Sequence, residues 1–79
     1  MSRFRMCRFP RLRELREELG WELTDLLGKL PEAKPGLSSL SKLERGLPLR
    51  YTNVKRVFDT VNEAYGGSLD PKKELKVVK

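Results

Sequence analysis

Leucines recur at helical spacing through the first half of the chain. Leu12, Leu15 and Leu19 stand three and four residues apart, with Arg11, Arg13, Glu14, Glu17 and Glu18 on the other faces. Such a period buries one side of a helix and leaves the rest in water. Pro10 suits the first turn and Gly20 the end, which predicts a helix over 11–19. Leu23, Leu26, Leu27 and Leu30 predict a second over 23–30, closed by Pro31. Trp21, between the two, reads as a core aromatic. The run 32–36 (Glu-Ala-Lys-Pro-Gly) has turn chemistry. Ser38 or Ser39 then offers a capping oxygen. Leu40 and Leu43 make a third, two-turn helix over 38–45 that Gly46 ends. A helix so short is unstable alone and must be held by packing. After a connector, 47–51, Thr52 is a suitable cap for a fourth helix. Its stripe is Val54, Val57, Phe58 and Val61, extended by Ala64 and Tyr65 and stopped at Gly66 and Gly67.

The two ends read differently. Phe4 and Met6 alternate with Arg3 and Arg5, a period of two that suggests a short strand within 3–9. The alternative is a basic arm. Residues 74–78 form a second short strand. These strands pair with each other or between subunits. The pattern as a whole predicts a mainly α fold of four to five helices, with short strands at its ends.

Composition narrows the chemistry. Seventy-nine residues make one domain, and folding at that size buries about 60% of the surface, so stability is marginal without a partner. There is no room for a deep substrate cavity. Cys7 is alone and histidine is absent, so an internal disulfide, a Cys/His zinc site and a Ser–His or Cys–His nucleophile pair are all excluded. No catalytic set, metal or cofactor is expected. No run approaches the ~18 apolar residues of a membrane span, and the N-terminus lacks the apolar stretch of a signal peptide. The expected location is the cytoplasm, in association with the nucleoid.

Charge changes the picture further. The net charge is +6, but it is blocked. Residues 1–16 hold six arginines against Glu14, residues 17–33 hold five acids against Lys29, and residues 34–56 hold six cations against Glu44. Two basic blocks around an acidic one suggest a face for a polyanion. The bland alternative is an ordinary solvated surface. The third helix has its leucines inside and small or basic residues largely outside, which fits a major groove wide enough for one helix.

The segment 37–46, Leu-Ser-Ser-Leu-Ser-Lys-Leu-Glu-Arg-Gly, resembles the recognition helix of the lambda-repressor-like (Cro/Xre-type) helix-turn-helix family. Residues 12–21 resemble that family's first helix, and the likeness covers about 12–65. The resemblance implies a sequence-specific transcriptional regulator, a repressor acting as a homodimer on double-stranded DNA. Residues 1–9 would be an arm or strand, 10–66 the DNA-binding domain, and 67–79 a tail with a dimerisation strand. Leu37, Ser38, Ser39, Ser41 and Lys42 would face bases. Lys34, Arg45, Arg50 and Tyr51 would meet phosphates. Arg16 would pair with Glu44 as a structural tie.

Some residues depart from the family's pattern. Glu22 and Leu23 stand where it has a polar cap and a glutamine, and Glu22 there repels a phosphate. Thr24 would then cap a shorter second helix. Leu27 replaces a small alanine, so the helices cross more widely or meet at Gly28. Two rivals share the fold. An antitoxin would bind its own promoter and hold a toxin through the acidic block or the terminal strands. A protein-interaction module would have lost DNA altogether.

Overall fold

The computed structural model describes residues 5–78. Arg3 and Phe4, half of the alternation expected near the N-terminus, lie outside the described residues. The chain runs β1 (Met6–Arg8), α1 (Leu12–Glu18), α2 (Leu23–Lys29), a short 3-10 turn (Pro31–Ala33), α3 (Leu37–Glu44), β2 (Leu49–Arg50), α4 (Tyr51–Ala64), α5 (Pro71–Glu74) and β3 (Lys76–Val78). It is mainly helical with one small antiparallel sheet.

The leucine and valine stripes make the core. Leu12, Leu15, Leu26, Leu40, Leu43, Val54, Val57, Phe58 and Val61 are all buried. Leu19, Leu23, Leu27 and Trp21 pack against them at the margin and stay half-exposed. Some buried side chains, Leu75 among them, come from outside the helical pattern. Cys7 and Phe9 bring the first segment into the core, and the Phe9 ring lies 5.8 Å from that of Phe58 at a 51° tilt. Burial raises the Cys7 thiol pKa, so the sulfur is protonated and inert rather than activated by nearby arginines.

The sheet has the order β2-β1-β3. Met6 pairs with Arg50 and Val78, Cys7 with Leu49 and Val77, and Arg8 with Lys76. The terminal strands therefore pair within one chain. Cys7 faces the core and Met6 faces out, so the apolar side of β1 is that of Cys7 and not, as the alternation suggested, that of Met6. The C-terminal strand begins at Lys76, because Pro71–Glu74 forms a helical turn that Asp70 caps from Lys72 N at 2.9 Å. The connector expected at 47–51 is split between β2 and the first turn of α4.

Helix ends follow backbone geometry more than side-chain caps. Gly20 (φ 74°) and Gly46 (φ 90°) close α1 and α3 in the left-handed conformation that glycine adopts without a Cβ clash. At each end the amide two residues past the cap reaches back to the last turn, Trp21 N to Arg16 O at 3.1 Å and Leu47 N to Lys42 O at 3.0 Å. The expected starts need correction. α3 begins at Leu37 with Gly36 as its N-cap and no side-chain cap bond, so neither Ser38 nor Ser39 caps it. α2 begins at Leu23, one residue ahead of Thr24, and Asp25 accepts the Glu22 amide at 2.8 Å. α4 begins at Tyr51 with Arg50 before it, so Thr52 lies inside the helix. Gly28 is exposed with nothing within 4 Å of a Cβ built there, so the helices do not meet at that glycine.

Candidate nucleic-acid interface

α3 carries two opposed faces. Leu40 and Leu43 are fully buried. Ser38, Ser41, Lys42 and Arg45 stand at i, i+3, i+4 and i+7 and so share the other side of the helix and its last turn. Ser38, Lys42 and Arg45 are exposed and Ser41 is half-buried. Leu37, 42% exposed, and the half-buried Ser39 flank this stripe on either side. Of the residues expected to face bases, Ser38, Ser41 and Lys42 are thus brought onto one line with Arg45, while Leu37 and Ser39 lie at its edges.

Glu44 falls on the inner side, and Arg16 of α1 meets it there. Arg16 Nε donates to Glu44 Oε2, Nη2 donates to Oε1 at 3.1 Å, and Nη1 donates to the Trp21 carbonyl at 2.7 Å. Their side chains are 13% and 9% exposed. The Glu44 hydrogen bond raises the Arg16 pKa above its ordinary value, so the guanidinium stays charged. A two-pronged contact of this kind fixes orientation as well as distance. It sets how α3 sits on α1, and therefore where the outer stripe points.

The expected phosphate contacts are distributed around α3. Lys34 is exposed just ahead of it. Arg50 is exposed in β2. Tyr51 opens α4, half-buried, and its ring is covered by Arg5 at 4.8 Å. The Tyr51 amide also donates to Arg5 O at 2.7 Å. Glu22 and Asp25 occupy the start of α2, where they disfavour an anion.

One contact was hidden from sequence. Arg8 Nε donates to the Gly46 carbonyl at 2.9 Å, which ties β1 to the end of α3. No local pattern signals it, because the partners are joined by strand pairing across distant parts of the chain. The acidic residues also have specific work. Glu17 pairs with Arg13, and Glu18 accepts the Tyr65 hydroxyl at 2.8 Å. Among the described residues no group of three His, Cys, Asp or Glu side chains could hold a metal ion, and no helix is long and apolar enough to cross a membrane. Neither a protein-family model, a curated protein nor a solved structure matches the chain.

Proposed function

We propose that the chain is a sequence-specific DNA-binding regulator of the lambda-repressor-like helix-turn-helix type, a repressor that acts as a homodimer in the cytoplasm, at the nucleoid. The observation that carries this reading is the outer stripe of α3, on which Ser38, Lys42 and Arg45 are exposed while the opposite side of the helix is sealed in the core. Serines let the helix approach base edges closely. Lys42 reaches a guanine edge, and Arg45 a guanine or a phosphate. Lys34 and Arg50 add sequence-independent attraction to the backbone. Small size favours a dimer, and the outer edge of β3, unpaired among the described residues, offers a second copy a place to add strands.

The test is binding of the purified protein to the DNA upstream of its gene and to an unrelated duplex, across a salt series. At least about a thousandfold preference for the upstream DNA is the expected result. Lys42→Ala should cost about 1–3 kcal/mol on the specific site and relax preference at one base pair. Unchanged operator affinity in that variant would remove α3 from the interface. Equal and steeply salt-dependent binding to both duplexes would leave only a cationic surface.

A second reading, the antitoxin, is favoured by a groove of about 560 Å³ between α2 and α4, lined by Trp21, Lys29, Arg56, Asp59 and Glu63. It lies on residues distinct from the α3 stripe, which leaves a surface for a protein partner while DNA is bound. Co-purification of the product of a neighbouring gene would support it.

A further inference from the structure

The sheet has a solvent side that the α3 reading does not use. Residues directly opposite each other in an antiparallel pair project to the same side, as do residues two apart on one strand. Arg50 and Val78 flank Met6, and Lys76 stands opposite Arg8. Cys7, between Met6 and Arg8, is buried, so these five form the outer side. Arg8, Arg50, Lys76 and Met6 are exposed and Val78 is half-buried. None of the strand residues is acidic.

We infer that this outer side of the sheet is a second phosphate-binding surface, which grips the backbone of duplex DNA beside the stretch that α3 reads. The inference rests on the DNA-binding reading of α3. Two observations carry it. Arg8, Arg50 and Lys76 stand on one side of the sheet with no acidic strand residue among them, a concentration of like charge that a polyanion complements. Arg8 also reaches the carbonyl of Gly46, the residue after Arg45 at the end of α3, which places the cationic side of the sheet next to the end of the α3 stripe. A second copy of the chain is a poor occupant of the same face, because it would stack these cations on their own equivalents. Duplex DNA, with one negative charge per ~1.7 Å of axis, complements them.

The test compares the full chain with Lys76→Gln, Arg8→Lys and the double variant Arg8→Gln/Lys76→Gln on a mixed-sequence duplex about four helical turns long. Affinity is measured across a salt series. Lys76→Gln should lower the slope of log affinity against log salt by about 1, and the double variant by about 2. Arg8→Lys keeps the charge and should keep the slope. Lys76 is exposed at the sheet surface, so its variant reports on binding even where the double variant is too unstable to use. Wild-type binding with an unchanged slope in Lys76→Gln and the double variant overturns this inference and leaves the role of α3 standing. No binding of the wild type to any duplex overturns both. Charge-dependent capture of poly-glutamate in place of DNA would assign the face to an acidic protein and overturn the inference as well.

Discussion

Two arginines of the α1 segment behave differently. Arg16 and Arg11 lie five residues apart at the start and within α1, and each reaches a glutamate far away in the chain. Arg16 serves both oxygens of Glu44 and a backbone carbonyl, with both side chains largely buried. Arg11 is 48% exposed and divides itself between Glu14 and Glu74. Glu74 Oε2 accepts from Arg11 Nη1 at 2.7 Å, while its buried Oε1 has no partner. The residue types are the same. What differs is whether every buried polar atom is satisfied, and that decides whether an ion pair holds a fold or merely rests on it.

The comparison can be broken at its strong side first. Arg16→Ala should destabilise by about 3 kcal/mol, because it strands the Glu44 carboxylate in a dry place. It should also weaken operator binding, since the pair orients α3. Urea unfolding and a gel shift on the same samples would check both, and a loss below that of an ordinary surface substitution would show that the pair is ornamental. A third tie of α1 sharpens the contrast. The Tyr65 hydroxyl shares its single proton between Leu15 O at 3.0 Å and Glu18 Oε1 at 2.8 Å. Burial, with help from the bond to Glu18, pushes its pKa up from 10.0 to about 12. A raised tyrosine pKa stabilises the fold below the unfolded value and is lost as pH climbs through the folded one. Wild type should therefore lose its advantage over Tyr65→Phe between pH 10 and about 12, and at neutral pH the variant should be weaker by about 1 kcal/mol. Parallel melting curves at every pH would refute that.

Smaller effects calibrate the scale. Gly28→Ala adds a methyl group to an exposed helix position with open space around it. It should stabilise by about 0.5–1 kcal/mol through helix propensity alone. Glu74→Leu should have the smallest effect or a mild gain in melting temperature. It removes a buried oxygen without a partner and leaves Arg11 to Glu14 and water. A drop as large as that of Arg16→Ala would show that the two pairs are equivalent after all.

What was legible in the sequence follows the strength of the signal. The leucine and valine stripes predicted four helices, because each buried position excludes a polar residue and the period repeats over several turns. Gly20 and Gly46 marked helix ends, because few other residues accept their backbone angles. The caps were not legible. Ser38, Thr24 and Thr52 are all good capping residues, but a cap contributes only about 1 kcal/mol, and the start of a short helix is set by where its leucines must land. β2 escaped notice because two residues carry no period. Its existence depends on Met6 and Cys7, about forty residues upstream. The α3 stripe could be read from spacing alone. The basic outer side of the sheet could not, since Arg8, Arg50 and Lys76 are neighbours only after β1 has drawn three distant segments together.

That central strand has a topological consequence. Met6 is paired with Val78, so the chain enters and leaves the described body at adjacent points. From Met6 to Val78 the described body is close to a ring with a single cut in it. A short linker should join the ends without disturbing the core, and the cut should be movable. The turn after α2, which already runs over the surface, is a natural place to reopen it. A permuted chain of that kind would begin with the helix proposed to read DNA and end with the helix that precedes it.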